Sequence, residues 1–472
     1  MGNTGFAVAD TVDRPLALRS INGDMDVLHV IHQFAPESRG GSESYALDLA
    51  RRQRTRGLSV AVLTGTKHWA EEVRLVEDEF EGLPVYRLNR NDLYFDHHVK
   101  MWHPEVEERF ERFLRQHRPA LVHIHHWVRL TCNLVEICER VGVPNVVTLH
   151  DYYTSCPRAF RRRVGDEACR RSLSSESCRS CVPKYGHEPQ HELDEGIDLY
   201  RDSYRSEVSL ARVVLVAVDS TADLLSQTTG IDRSRYRTLP LGYRQRFDGL
   251  PKLKDPTAGA PLRFAYWGGV GRHKGVDALV SAFRQVEASR PGRAELHVLG
   301  DFESPQFGDE MHTIAAGLPV NFHGVFDPEQ LHAVAPDVGV FPSTCIETFG
   351  IVLDECFELG RPCITSDLGA LPDRSGGAGM STRAGDSADI ARAMLRLLDE
   401  PRLWGELVSK IPPPPPALDQ HAADIEKIYE DARTAPVDRP QFATIPLARR
   451  QAFWRLQMEA EASGTLPPGG PR

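Results

Sequence analysis

Short apolar runs of strand length recur along this chain with helix-like stretches between them, and that alternation constrains the fold more than any other feature. Runs at 27–32, 60–63, 85–88, 121–125, 145–149, 213–218 and 236–241 read as strands. Helices are expected at 42–56, with Ser42 as N-cap and Gly57 as stop, and at 105–116 and 132–140. Near-continuous apolar strands separated by helices require a parallel sheet covered on both faces. Residues 244–260 hold Gly, Pro, Lys and Asp with little apolar content and read as a linker. A second series follows, with strands at 263–267, 295–299, 320–323, 338–341 and 363–365. The helix after Gly275 carries Leu279, Val280, Phe283 and Val286 on one stripe.

The chain therefore reads as α/β, with two tandem Rossmann-like, doubly wound domains facing a cleft. Its 472 residues exceed one ordinary core and fit two domains plus tails. The expected divisions are a flexible N-terminal tail at 1–26, a first domain at 27–243, the linker at 244–260, a second domain at 261–411 and a C-terminal region at 412–472. The last region opens with five prolines, 412–416, read as an extended spacer. Helices are expected at 420–433 and 447–462, before a frayed Pro/Gly-rich end.

A net charge of −10 argues against a dedicated nucleic-acid binder. The apolar runs are far shorter than the roughly 20 residues that span a bilayer. The first 25 residues are polar and lack a signal-peptide core. The expectation is a cytoplasmic protein, with peripheral contact to a membrane surface left open.

One segment carries the clearest chemistry. At 341–367 the sequence runs Phe-Pro-Ser-Thr-Cys-Ile-Glu347-Thr-Phe349-Gly350-Ile351-Val-Leu-Asp-Glu355-Cys-Phe-Glu-Leu-Gly360-Arg-Pro-Cys-Ile-Thr-Ser-Asp. A strand ends near Phe341, a polar loop carries Glu347, and a helix is expected from near Gly350 to Gly360. The unpaired N–H groups and positive dipole end at Phe349, Gly350 and Ile351 form an anion site. Glu355, further along the helix, can accept hydrogen bonds from vicinal hydroxyls. The Pro-Ser, the two glutamates eight positions apart, the Phe-Gly and the Gly-x-Pro resemble the donor-binding stretch of family-4 retaining glycosyltransferases. That family has the two-domain GT-B architecture. The resemblance covers most of the chain. It implies a nucleoside-diphosphate-sugar donor, with Glu347 on the sugar and Glu355 on the ribose. It makes the first domain the acceptor side and the second the nucleotide-sugar side.

Further elements fall in the order that the resemblance requires. Gly268-Gly269-Val-Gly271-Arg272-His273-Lys274-Gly275 joins a strand to a helix, and Lys274 can place a charge on phosphates. Lys274 matches a lysine of the family. The arginine that the family usually has directly after the first glycine is missing, because position 269 is glycine. Arg272, three residues away, is the candidate substitute; the other reading is a site with one cation fewer. Gly40 and Gly41 match the family's glycine-rich loop between first strand and first helix. His150 matches a histidine that faces the donor sugar. His125 or His126 is a weaker candidate for the acceptor pocket. Gly300-Asp301 and the segment 322–325 match positions flanking the base, and 367–372 resembles the loop after the donor helix. No G-x-G-x-x-G is present, so a nicotinamide site is not read.

The resemblance implies transfer with retention. The departing diphosphate is stabilised by Lys274, Arg272 and the helix start, and serves as base for the acceptor hydroxyl. The catalytic set is then Glu347, Lys274 and His150, with Gly41, Arg272, Phe349, Gly350, Ile351 and Glu355 binding donor. No catalytic metal is implied. The acceptor is a glycan, a lipid-linked sugar or a small molecule. A nucleotide-sugar epimerase on the same fold, a catalytically weak nucleotide-binding protein and a zinc-dependent regulator remain as alternatives.

Nine cysteines are present. Cys132, Cys138, Cys345, Cys356 and Cys363 sit in apolar surroundings and read as small buried side chains. Cys156, Cys169, Cys178 and Cys181 cluster in a polar insert at 156–184 and form a candidate structural zinc set. The competing reading is four reduced thiols in a loop. The insert also carries Arg158, Arg161, Arg162, Arg163, Arg170, Arg171, Arg179 and Lys184 against Asp166, Glu167 and Glu176. A solvated charged face is the ordinary reading; a basic face for an anionic acceptor or membrane is the functional one.

Overall fold

The computed structural model describes residues 25–38, 40–92, 100–163, 167–182, 190–257, 259–435 and 441–462. Most of the expected tail at 1–26, Asp166, Lys184 and the end beyond 462 lie outside the described residues. Strands are numbered in chain order: β1 (Val27–Ile31), β2 (Val60–Gly65), β3 (Arg74–Phe80), β4 (Leu83–Asn89), β5 (Leu121–Ile124), β6 (Asn145–Leu149), β7 (Val213–Val216) and β8 (Tyr236–Thr238). They continue with β9 (Leu262–Trp267), β10 (Ala294–Leu299), β11 (Val320–Gly324), β12 (Val338–Phe341), β13 (Cys363–Ser366) and β14 (Gly379–Thr382).

The first sheet has the order β3-β4-β2-β1-β5-β6-β7-β8 and the second β11-β10-β9-β12-β13-β14. In the second sheet every pairing is parallel. In the first, β3 runs antiparallel to β4. The second order is that of a doubly wound nucleotide-binding sheet, which reverses direction between β9 and β12. Val338 pairs with Phe264 and Gly339 with Ala265 at that reversal. Ligands of such sheets bind beyond the carboxyl ends of the two strands flanking the reversal.

The expected strands are all present, within a few residues of their read bounds. β3 and β14 were not anticipated. β3 reads Arg-Leu-Val-Glu-Asp-Glu-Phe, none of it buried, so it has no apolar run to betray it. β14 is four residues, Gly-Met-Ser-Thr. The first helix is Gly41–Thr55 with Gly40, not Ser42, at the N-cap. The Ser42 hydroxyl lies inside the helix and donates to the Glu43 carboxylate at 2.8 Å.

By its contacts the chain separates into two compact units: residues 1–148, 210–213 and 418–440, and residues 149–209, 214–417 and 441–472. The division differs from that read in sequence in two ways: residues 149–209 and 214–243, expected in the first domain, belong to the second unit, and helix Leu418–Thr434, expected in the C-terminal region, belongs to the first unit. There Arg56 pairs with Glu426 at 2.7 Å, Gln53 donates to the Tyr429 hydroxyl at 3.1 Å, and Tyr45 bonds His421 at 2.8 Å. The core of the second unit is built from Phe264, Trp267, Leu279, Phe283, Leu296, Phe341 and Leu353. The expected stripe Leu279, Val280, Phe283 and Val286 is fully buried there. No helix among the described residues is long and apolar enough to cross a membrane.

Candidate active site

β9 and β12 are neighbours, so the loops leaving their carboxyl ends meet. The β9 loop turns through Arg272–Lys274 into helix Val276–Ser289. Gly275 makes that turn at φ +71, and a Cβ there would stand 2.1 Å from the Pro342 carbonyl oxygen, so only glycine lets the two loops touch. The His273 carbonyl accepts from the N–H groups of Thr344 at 3.0 Å and Cys345 at 3.2 Å, which binds the β9 loop to the β12 loop.

This docking brings Lys274 and Glu347 together. Lys274 Nζ donates to Glu347 Oε1 at 2.7 Å, and Ser343 Oγ donates to the same oxygen at 2.7 Å. Burial penalises the Glu347 carboxylate, but the Lys274 charge and the hydrogen bonds from Lys274 and Ser343 outweigh it and hold it below the ordinary 4.5. Burial likewise works against the Lys274 ammonium, and Glu347 reverses the sign and raises it above its ordinary value. Both groups therefore keep their charges through the neutral range.

Glu355 is set by different neighbours. The Trp267 indole donates to it at 2.8 Å and Arg246 Nε lies 3.5 Å away. Burial raises its carboxyl above the ordinary value, with Arg246 and Trp267 offsetting part of the rise. The donor helix is shorter than expected. It spans Val352–Glu358 and begins two residues after Gly350, whose φ of +79 is incompatible with a helical residue. Glu355 thus lies in its first turn. Arg374 secures the turn before it. The guanidinium stacks 3.4 Å from the Phe349 ring centroid and donates to the Phe349 and Gly350 carbonyls at 3.1 and 2.9 Å. It also pairs with Asp354 at 2.5 Å.

Beside the pair, Thr348 Oγ1 donates to the His150 carbonyl at 2.5 Å, which fixes the His150 backbone next to the Glu347 loop. Arg272 is otherwise engaged: it pairs with Glu310, lies 3.5 Å from Asp277 and sits over the Phe307 ring at 5.1 Å. At Gly269 an added Cβ would meet nothing within 4 Å. Gly41 belongs to the first unit, as the first residue of its helix. There Glu43 closes the glycine loop by accepting from Gln33 at 2.5 Å and Ser38 at 2.7 Å.

His125 is fully buried in the first unit and bonds His29 at 2.9 Å, while the His126 ring accepts the N–H groups of Trp127 and Val128 at 3.0 and 3.1 Å. Among the described residues, His29, His123 and His125 are the group whose ligating atoms fall within 4.8 Å of one another. Three of their nitrogens bond partners outside the group: His29 Nε2 bonds Gln53 at 2.8 Å, and His123 bonds Tyr429 and Thr148, each at 2.7 Å. Cys156, Cys169, Cys178 and Cys181 are free and partly buried. Burial pushes the Cys156 thiol up to about 11. Arg158 approaches Cys181 Sγ to 3.6 Å.

The sequence reading missed Ser343, Trp267, Arg246, Thr348 and Arg374. Ser343 had a signal, since it is the serine of the Pro-Ser pair. Arg246 was assigned to the linker, and Arg374 lies outside every motif.

A doubly wound sheet takes ligands beyond the strand ends at its reversal, which is where Lys274 and Glu347 stand. The profile of "Glycosyl transferases group 1" matches residues 261–400, and that of "Glycosyl transferase 4-like domain" matches 40–242. The chain belongs to the family-4 glycosyltransferases of GT-B fold. It is 36% identical over 135 residues to the phosphatidyl-myo-inositol mannosyltransferase of Propionibacterium freudenreichii, covering 27% of this chain and 32% of that one. It is 26% identical to the D-inositol 3-phosphate glycosyltransferase of Streptomyces bingchenggensis over 80% of this chain and 81% of that one. A glycogen synthase of Mycobacterium tuberculosis is 25% identical over 61% of this chain. The chain spans about a third of the mannosyltransferase and 62% of the glycogen synthase. Among solved structures, sucrose-phosphate synthase from Thermosynechococcus elongatus superposes with a TM-score of 0.56 at 17% identity, over 93% of this chain and 99% of that one. Anabaena HepE in complex with UDP and glucose gives 0.57 at 15%, over 86% and 99%.

Proposed function

We propose that this protein transfers a hexosyl group from a nucleoside-diphosphate sugar to an acceptor hydroxyl, with retention of anomeric configuration. The observation that carries this reading is the Lys274–Glu347 pair at the β9/β12 reversal, 2.7 Å apart and reached by solvent on both side chains. In the reaction the bond from the anomeric carbon to the diphosphate oxygen breaks and a bond to the acceptor oxygen forms. The acceptor proton leaves on the departing diphosphate. Lys274 stabilises the charge that develops on that leaving group. Glu347 accepts hydrogen bonds from the sugar hydroxyls, Glu355 from the ribose, and His150 faces the sugar. The backbone at Phe349, Gly350 and Ile351 holds the diphosphate. Gly41 contributes from its own loop, and Arg272 joins by exchanging Glu310 for phosphate.

The relatives named for inositol-bearing compounds support a polyol or lipid-linked acceptor, and the reading keeps the protein cytoplasmic with peripheral contact to a membrane surface. We also assign Cys156, Cys169, Cys178 and Cys181 to a structural zinc that pins the insert. Metal analysis before and after the joint Cys178→Ser and Cys181→Ser change tests it; unchanged metal content removes the assignment.

A thermal-shift screen of UDP-, GDP- and ADP-sugars tests the main reading, because a bound donor raises Tm by mass action. Mass spectrometry of wild type, Glu347→Ala and Lys274→Ala with the stabilising donor and candidate polyol acceptors follows. Transfer near wild type in both variants would rule the reading out. Isomerised donor without any acceptor product would favour an epimerase.

A further inference from the structure

The insert after residue 155 is the feature that the donor reading leaves unused. Its backbone is wound around Arg161, which is 1% exposed. That guanidinium donates to the Ser155 carbonyl and hydroxyl, each at 3.0 Å, to the Cys169 carbonyl at 2.9 Å, and to the Arg171 carbonyl. Ala159 at φ +62 and Arg161 at φ +47 are both left-handed without being glycine. Such conformations are costly and persist where surrounding structure imposes them, often at functional sites. Between these two strained residues stands Phe160.

Phe160 is 45% exposed, although it is one of the largest apolar side chains in its region. Its ring stacks on the imidazole of His273, with centroids 4.9 Å apart and planes 25° from parallel. His273 directly precedes Lys274, and its carbonyl carries the two hydrogen bonds that tie the β9 loop to the β12 loop. On another side its ring lies 3.5 Å from the Glu303 carboxylate. Whatever holds His273 therefore holds the turn that aims Lys274. That aim matters here because position 269 is glycine and Arg272 must first leave its carboxylates before it can reach a phosphate, so Lys274 is the cation already in place.

We propose that Phe160 is a positioning residue of the donor site: stacked on His273, it holds the phosphate turn 268–275, and with it Lys274, in the geometry that receives a diphosphate. The proposal rests on the glycosyltransferase reading for its consequence in catalysis, but not for the clamp itself. The strain at Ala159 and Arg161 then has a purpose, because it turns an apolar ring outward onto the neighbouring loop.

Hydrogen exchange on the full-length apo protein tests the clamp without a substrate. Phe160→Ala should speed exchange of the 268–275 amides by about 2- to 12-fold, the span of a single aromatic pair. Phe160→Tyr should restore wild-type exchange, and the buried strand β10 should be unchanged in both. With UDP-glucose, or whichever sugar nucleotide the screen selects, Phe160→Ala should raise donor KM by a similar factor while acceptor KM stays put. Wild-type exchange in Phe160→Ala overturns the proposal, as does loss that Phe160→Tyr fails to rescue. A change confined to acceptor KM also overturns it and makes the ring an acceptor contact. If exchange responds as expected and no sugar nucleotide supports transfer in wild type, the clamp stands and the enzymatic reading falls.

Discussion

The histidine network of the first unit and the Lys274–Glu347 pair of the second are both polar clusters set among buried strands, yet they are finished differently. In the network each bond fixes the next. Gln53 Nε2 donates to Tyr429, which leaves the Tyr429 hydroxyl to donate to His123 Nδ1 and His123 Nε2 to donate to Thr148. Gln53 Oε1 accepts from the His29 Nε2–H, so a neutral His29 accepts at Nδ1 from His125. Burial holds His29 neutral near pH 7, and all three rings are closed to solvent. The pair instead keeps two full charges at side-chain exposures of 28% and 17%. A satisfied, neutral, closed cluster specifies packing. A charged cluster left open at a strand-end reversal can exchange its internal partner for a ligand.

The largest effect that would break this contrast is on the pair. Lys274→Ala should lower transfer by about 10³-fold, the scale of losing a charge-stabilising donor. It should also raise the Glu347 pKa, read from the acid limb of the pH–rate profile. Next in size, His29→Ala should cost roughly 3 kcal/mol of stability in denaturant melts by removing the buried bonds that His29 makes to Gln53 Oε1 and His125 Nε2. Its kcat under conditions where it stays folded should match wild type. A comparable loss of activity would make the network part of the site.

Acid titration separates the two clusters further. Burial lowers His29 from 6.5 to about 4, so the unfolded chain binds its proton first. Stability from this group is complete above pH 6.5 and is lost as pH falls towards 4, by about 3 kcal/mol at most. Glu347 has a lowered folded pKa, so its contribution is complete above the ordinary 4.5 and is lost only below it. In His29→Ala, melts across pH 4 to 7 should be flatter than in wild type; equal slopes would contradict this assignment.

Smaller effects refine the pair's surroundings. Glu355→Gln removes a carboxylate that burial disfavours while keeping an acceptor for Trp267. It should leave Tm unchanged or slightly higher and raise donor KM about tenfold through weaker bonds to ribose. Ser343→Ala removes one hydrogen bond to Glu347 and should lower kcat/KM by about threefold.

Much of this architecture was legible because buried parallel strands leave continuous apolar runs and the donor loop has fixed spacing. β3 escaped because an exposed edge strand has no such run. The helix after Gly350 was drawn too long because residue type alone does not reveal a left-handed φ. The pairing of Lys274 with Glu347 was not legible either. It follows from the adjacency of β9 and β12, which are 73 residues apart at these side chains. Cys156 to Cys181 could be seen as a group, but the placement of Phe160 on His273 depends on two strained backbone angles that no motif records.

Gly269 has one more consequence. A Cβ added there would meet nothing within 4 Å, so the position admits the first carbon of a side chain. The loop is therefore a ready host for a gain of function as well as a loss. Gly269→Arg would test whether reliance on a clamped lysine can be relieved by a further cation, and whether Phe160 then becomes dispensable.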